Sequence, residues 1–123
     1  MIQNKLFRID VCDKQDTEIH AQLSILSDAE ILKGHFPGQP VVPGVCQLQI
    51  IKELLEMNFG KKLMMFQAPM VKFLTMMVPD QVQKVQCHIQ YSWNSTEELQ
   101  ISATLFQNEL IFLKFKGAFK IFE

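Results

Sequence analysis

The chain has 123 residues, the length of one domain, and its 12 basic and 13 acidic residues give a net charge of −1. This balance gives no support to nucleic-acid binding. The apolar fraction of 48%, which includes ten Phe and seven Met, is generous for so short a chain. It can fill a core, line an acyl pocket or cover a subunit interface, and composition alone does not separate these uses.

The sequence also indicates where the protein works. No apolar stretch approaches the roughly 20 residues that span a bilayer. The first residues lack the charged start and apolar run of a secretion signal. We therefore expect a cytoplasmic protein in which the three cysteines, with no CxxC pair among them, are free thiols: Cys12, Cys46 and Cys87.

The first two elements read as a β-hairpin. Residues 5–12 alternate apolar and polar, and residues 18–26 alternate again through Ile19, Ala21, Leu23 and Ile25. The polar residues 14–17 between them are typical of a turn.

A loop rich in proline and glycine precedes the only long helix that the sequence predicts. Residues 34–44 hold three prolines and three glycines, which prevents regular structure. Residues 45–59 contain neither, and their apolar positions recur at helical spacing on more than one side. We expect Pro43 in the first turn and Gly60 near the end of this helix, with Glu53 facing solvent.

The rest of the chain predicts strands at 63–77, 82–93, 99–106 and 110–122. Residues 94–96 and 108–109 read as the turns between the last three of these. Five or six mostly antiparallel strands and one helix that is apolar on several sides indicate an α+β fold, with a curved sheet wrapped around the helix.

His35 lies in the proline- and glycine-rich loop, which makes it a candidate base. Its near-neutral pKa suits proton transfer, although most loop histidines have no such role. The loop leads into the first turn of a buried helix, where unpaired N–H groups and the helix dipole would stabilise a thioester oxygen that gains negative charge. A base beside such a site can remove a proton α to a thioester carbonyl.

Residues 35–45, His-Phe-Pro-Gly-Gln-Pro-Val-Val-Pro-Gly-Val, resemble the His-Phe-Pro-Gly-x-Pro-x-x-Pro-Gly signature of the 3-hydroxyacyl-acyl carrier protein dehydratases. Residues 71–80 are similar to a strand-to-turn segment of the same family that ends in Pro-(Gly)-Asp, although the glycine is absent here. The resemblance covers residues 5–122 and implies a hotdog fold. Gln47 and Leu48 bring the chain closest to the branch found in aryl-polyene and pigment pathways, in which some members form heterodimers with one incomplete subunit.

The resemblance implies a role for each matching residue. His35 would take the C2 proton, and Gly44 would supply an oxyanion N–H. The family carries Glu or Asp where this chain has Gln49, and an amide cannot pass a proton to a departing hydroxide. Gln49 would instead orient the hydroxyl or a water, unless Glu53, one turn further along, replaces the missing acid. The expected substrate-binding residues are Phe36, Pro37, Gly38, Pro43, Val45, Cys46 and Phe73.

The function expected from this resemblance is dehydration of a 3-hydroxyacyl group to a trans-2-enoyl thioester in fatty-acid or polyene biosynthesis. The substrate would be carried on the phosphopantetheine of acyl carrier protein, and no metal or other cofactor is expected. Family members form dimers with shared active sites, so we expect a homodimer or a heterodimer with a homologous subunit. Two alternatives stay open, a catalytically degenerate subunit that binds acyl carrier protein or an active partner, and an acyl thioesterase.

The remaining titratable residues receive no catalytic role from the sequence. His20 and His88 fall at polar-face positions of predicted strands, where we expect surface roles and no metal ligation. Cys46 would lie in the first turn of the helix, where the dipole lowers the pKa of a thiol.

Overall fold

The protein is described by a computed structural model that covers residues 1–33 and 40–122. Within those ranges the structure contains one α-helix, one short 3-10 helix and six strands. The elements are β1 (Phe7–Lys14), β2 (Glu18–Ile25), the 3-10 helix (Glu30–Leu32), α1 (Gly44–Phe59), β3 (Leu63–Phe73), β4 (Lys84–Trp93), β5 (Glu98–Gln107) and β6 (Leu110–Ile121).

All six strands belong to one antiparallel sheet with the order β1-β2-β4-β5-β6-β3. β1 and β3 are therefore its two edges. The buried side chains of the strands form one cluster with the buried side of α1, which places the helix against the inner face of the sheet. This arrangement confirms the α+β architecture predicted from the sequence.

The turns that the sequence predicts fall between observed elements. Asn108 adopts a left-handed conformation with φ of 51° in the tight connection between β5 and β6, a conformation that Asn tolerates better than most residues. Gly60, with φ of 63°, ends α1, and its N–H donates to the carbonyl of Glu56. The left-handed conformation of Gly60 ends α1, and that of Asn108 reverses the chain between β5 and β6.

β3 ends at Phe73, four residues before the predicted end of the strand. After Phe73 the chain leaves the ladder with β6, and the Leu74 N–H makes a last bond to the carbonyl of Phe112. The segment then turns towards the core, where Met77 is fully buried. The Met77 carbonyl accepts the N–H of Val42. The residues before α1 are thereby fastened to the segment after β3.

Within residues 1–33 and 40–122, no helix combines the length and the apolar character that crossing a bilayer would require. The cysteines Cys12, Cys46 and Cys87 are free thiols, as the sequence predicts.

Candidate functional site

The first half of the signature falls in residues 34–39, which lie outside the described part of the chain. The assignments to His35, Phe36, Pro37 and Gly38 therefore remain predictions. The structure describes the second half of the signature, from Pro40 into the first turn of α1.

The start of α1 presents backbone N–H groups as the sequence predicts. Pro43 is the N-cap in an extended conformation, with φ of −60° and ψ of 151°, and its carbonyl accepts the N–H groups of Cys46 and Gln47 at 3.0 and 3.1 Å. The N–H groups of Gly44 and Val45 come before these bonds and so have no acceptor within the helix. They point out of its positive end, where a developing oxyanion is stabilised.

A cavity of about 380 Å³ opens beside this helix end. Its wall consists of the residues that lead into α1, the first turn of α1 and the segment at the end of β3. These residues are Val41, Val42, Pro43, Gly44, Gln47, Phe73, Leu74, Thr75, Met76 and Met77. The structure therefore brings together three of the predicted site residues, Pro43, Gly44 and Phe73. The Met and Leu side chains give the cavity a mostly apolar lining, which suits an acyl chain.

Gly44 permits the close approach of the Phe73 side chain. A Cβ atom added at Gly44 would lie 2.6 Å from Cζ of the Phe73 ring, well inside van der Waals contact. Glycine thus allows an aromatic ring to pack against the first turn of α1 while the backbone N–H stays accessible.

Gln47 is a site residue to which the sequence assigned no role in the site. It is 3% exposed, and its Nε2 donates to the carbonyl of Val42 at 3.2 Å. Its Oε1 is buried in the cavity wall and has no hydrogen-bond partner among the described residues. A buried acceptor of this kind costs about 1–3 kcal/mol unless it is satisfied, which makes it a position where a ligand donor would bind. The available signal was a polar residue on an otherwise apolar side of the helix.

Gln49 is half-buried and does not belong to the wall of this cavity. Its Nε2 donates to Oε2 of Glu53 at 2.8 Å. The amide is therefore held by a carboxylate of the same helix, and its second N–H and its Oε1 take no part in that bond.

The expectation that Glu53 faces solvent is wrong. Its side chain is 1% exposed, and its carboxylate accepts the backbone N–H groups of Ile2 and Gln3 at 2.8 and 2.9 Å in addition to the Gln49 amide. The first residues of the chain cross this side of α1 and cover the carboxylate. Three accepted bonds offset the cost of burying this polar group.

Glu53 also borders a second cavity, of about 700 Å³, at the C-terminal half of α1. The wall of this cavity consists of Met1, Gln3, Glu53, Glu56, Met57, Gly60, Lys61 and Lys62. The two cavities share no lining residue, so the one beside Gly44 and the one beside Glu53 are separate in this chain.

Val45 and Cys46 lie next to Gly44 but line neither cavity. The Val45 side chain is 76% exposed, whereas Cys46 is 6% exposed and packs in the core. Burial raises the pKa of the Cys46 thiol, so the expectation of a lowered pKa is wrong. Removal of the sulfur from water outweighs the favourable helix dipole, and Cys46 is not poised as a nucleophile.

The sheet, the helix it encloses and the open helix end beside an apolar cavity together define a protein of the hotdog fold. The chain belongs to the ApeI-like family, since the family model described as ApeI dehydratase matches residues 11–111. The family resemblance stated from residues 35–45 and 71–80 is confirmed.

A curated relative is the 3-hydroxyacyl-[acyl-carrier-protein] dehydratase FabZ of Clostridium acetobutylicum, 30% identical over 73 residues. The match covers 54% of this chain and 52% of that protein, so the chain spans about half the length of the relative it matches.

Solved structures share the fold at low identity. The dehydratase heterocomplex ApeI:P from Xenorhabdus doucetiae superposes with a TM-score of 0.73 at 20% identity, covering 92% of this chain and 96% of that chain. A hypothetical thioesterase with coenzyme A from Streptococcus pneumoniae gives a TM-score of 0.64 at 9% identity, covering 94% of this chain and 85% of that chain. These two likenesses confirm the hotdog fold. They do not assign an activity, because one fold can carry different reactions.

Proposed function

We propose that the protein dehydrates a 3-hydroxyacyl thioester carried on acyl carrier protein and releases the trans-2-enoyl thioester. The observation that supports this most directly is the open N-terminus of α1 at Gly44 beside an apolar cavity, in a chain of the ApeI-like dehydratase family. Such a site polarises a thioester carbonyl and makes the neighbouring C2 proton removable.

The proposed reaction begins with the substrate carbonyl at the Gly44 N–H. His35 removes the C2 proton, and the negative charge that develops on the thioester oxygen is held by that N–H and the helix dipole. The C3 hydroxyl then leaves as water. Protonation of the leaving oxygen is where this chain departs from its family.

Gln49 occupies the family's acid position and cannot supply that proton. Because Gln49 lies outside the cavity beside Gly44 of its own chain, we propose that the site is shared in a dimer, where the Gln49 amide of one copy binds the leaving hydroxyl or a water at the cavity of the other. His35 then returns the proton it removed. Glu53 does not replace the acid in this proposal, because its carboxylate is held by three N–H groups and borders a different cavity from the one beside Gly44. No metal or redox cofactor takes part in the proposed reaction.

A second subunit fits the proposal. β3 is an edge strand of 11 residues, and β6 is its one partner among the strands that the structure describes. Its side chains Met64, Val71 and Phe73 are exposed. A long edge with exposed apolar side chains is a surface where another chain can pair. We propose that a homologous hotdog subunit binds there, either a second copy or a distinct partner such as the heterocomplex neighbour contains.

The glutamine at position 49, where the family carries Glu or Asp, favours one other candidate function, that of a subunit without full activity of its own. Such a subunit would bind acyl carrier protein or an active homologue and contribute the Gly44 end of its helix to a shared site. Thioester hydrolysis is less well supported, since an amide at position 49 cannot act as the general base that activates water.

One experiment separates these functions. The purified full chain is incubated with a 3-hydroxyacyl group on acyl carrier protein, and the carrier is analysed by intact mass. The dehydratase proposal expects loss of one water, and His35→Ala abolishes it. A carrier that has lost its acyl group and retains a free phosphopantetheine thiol would instead indicate a thioesterase. An unchanged carrier, with activity only after a homologous subunit is added, would establish the incomplete subunit. The cytoplasmic location expected from the sequence stays a prediction.

A further inference from the structure

The outer face of the sheet carries a cluster of metal-ligating side chains that the proposed reaction does not use. Glu18 and His20 lie two residues apart on β2, so they project from the same face, and His88 lies opposite His20 on β4. The neighbours Ile19, Ala21 and Ile89 point the other way, into the core around α1. The cluster and the candidate active site are therefore on different sides of the sheet.

The ligand atoms of these three residues lie close together, but the two rings are stacked, so one ring must tilt before both Nε2 lone pairs aim at one ion. Nε2 of His20 lies 3.4 Å from Oε2 of Glu18, and Nε2 of His88 lies 3.3 Å from Oε1 of the same carboxylate. The two imidazole rings stack with centroids 4.3 Å apart and planes 12° from parallel. One nitrogen from each ring and one carboxylate oxygen all lie within 4.8 Å of one another.

We propose that Glu18, His20 and His88 bind one divalent transition-metal ion of the zinc type on the outer face of the sheet. Nitrogen and oxygen ligands of one zinc ion lie about 2.0–2.2 Å from it, and so about 3–4 Å from one another. The two observed nitrogen–oxygen separations already fall in that range. Two imidazoles and one carboxylate leave the fourth tetrahedral position to a water.

The surroundings favour chelation over a pair of independent surface histidines. β2 and β4 are interior strands of the sheet, each hydrogen-bonded on both sides, so the backbone that carries the ligands is fixed before an ion arrives. Nε2 of Gln90, the cross-strand partner of Glu18, lies 3.5 Å from Oε1 and helps to orient the carboxylate. An ion between the three groups satisfies two ring lone pairs and one negative charge at once.

The test is a calorimetric titration of the full chain with zinc chloride, repeated with Cys12→Ser because the free Cys12 thiol is a competing zinc ligand. We expect one zinc ion per chain with a dissociation constant on the order of micromolar. His20→Ala and His88→Ala should each weaken binding by more than about tenfold, since even indirect neighbours of a metal commonly change affinity by that much. Glu18→Gln, which keeps the shape of the side chain, should weaken it as well.

Gln86→Ala is the matched control. Gln86 is exposed on the same strand and face as His88, two residues away, and makes no part of the cluster. The Gln86→Ala variant should bind zinc with the affinity of the wild type. A second readout is the melting temperature, which zinc should raise in the wild type and in Gln86→Ala but not in His88→Ala, because an ion that binds only the folded state stabilises it.

Two results would overturn the proposal. One is the lack of saturable zinc binding by the wild type. The other is binding that keeps its affinity and stoichiometry in both histidine variants, which would place the ion elsewhere, for instance at His35 or Cys12. His20 and Gln86 are exposed and Glu18 and His88 are half-buried, so circular dichroism verifies that each variant remains folded.

Discussion

The side-chain amide of Gln49 donates a 2.8 Å hydrogen bond to the buried carboxylate of Glu53, one turn further along α1. This bond couples the position where the family carries its acid to a residue that anchors the N-terminus of the chain. A charge introduced at position 49 therefore acts on activity and on stability together.

Gln49→Glu should raise the rate of dehydration by about 10²-fold, the lower range of what a general acid contributes. The new carboxyl would lie within hydrogen-bonding distance of Glu53, and two carboxyl groups so close share a proton, which raises the pKa of one of them. The proton would then be available near neutral pH. Single-turnover rates with a 3-hydroxyacyl carrier measure the effect.

The exchange variant Gln49→Glu/Glu53→Gln is the control for that measurement. It keeps one amide and one carboxyl in the pair but moves the carboxyl to the family position. A gain in the single variant that is lost in the exchange variant would show that the shared proton matters. No gain in either variant would refute the claim that the amide limits the reaction.

Glu53→Ala should lower the free energy of unfolding by about 1–3 kcal/mol, because it leaves the partly buried N–H groups of Ile2 and Gln3 without their acceptor. Urea denaturation at neutral pH measures this. Glu109→Ala, at an exposed position in the β5–β6 turn, should change stability by less than about 0.5 kcal/mol. Equal effects from the two variants would show that the Glu53 contacts do not anchor the N-terminal segment.

These two residues also show what the sequence could predict and what it could not. Local spacing places residues 45–59 on a helix, and the structure has α1 at Gly44–Phe59. The same spacing placed Glu53 in solvent, because the partner that buries it is a backbone segment about 50 residues earlier in the chain. Local periodicity contains no information about such a contact.

The outer-face cluster gives a second case. Alternation in residues 18–26 and 82–93 places His20 and His88 on polar faces, and both are partly exposed. Their contact depends on the register between β2 and β4, which are separated by about 60 residues of other structure. A shift of the register by two residues would keep the polar faces outward but separate the rings, and alternation alone does not exclude it.

Gln47→Leu should reduce kcat/KM by about tenfold or more, while the free energy of unfolding changes by less than about 1 kcal/mol. The substitution removes one weak bond to Val42, but it also removes a buried oxygen that has no partner among the described residues. These two effects on folding oppose each other. If Oε1 accepts an N–H or O–H of the substrate, only catalysis suffers.

Gln47→Met tests whether the loss of kcat/KM follows from polarity or from shape. Methionine matches glutamine in length and flexibility but is a much weaker acceptor. The Met variant should therefore behave like the Leu variant. Full activity in Gln47→Met would mean that the oxygen has no role in substrate binding.

Gly44→Ala should destabilise the protein by at most about 1 kcal/mol, because the new methyl group would meet the Phe73 ring 2.6 Å away and this half-exposed ring must turn aside. The double variant Gly44→Ala/Phe73→Leu removes the ring and should recover most of that loss relative to Phe73→Leu alone. Thermal and urea unfolding of the four proteins form a double-mutant cycle. A cycle with no interaction energy would mean that Phe73 does not pack on the helix end in solution.

Asp10 should make the free energy of unfolding depend on pH in the acid range. The hydroxyl of Ser24 and the ammonium of Lys84, together with Arg8, lower the pKa of the Asp10 carboxyl from 3.8 to about 2. A pKa that is lower in the folded than in the unfolded state stabilises the fold above pH 3.8, and this contribution is lost as the pH falls towards 2. The wild type should therefore be more stable than Asp10→Asn at pH 6, and the difference should shrink between pH 4 and 2. Urea unfolding across this range measures it, with Asp16→Asn at an exposed turn as the control. A difference that stays constant down to pH 2 would contradict the assignment of this acid dependence to Asp10.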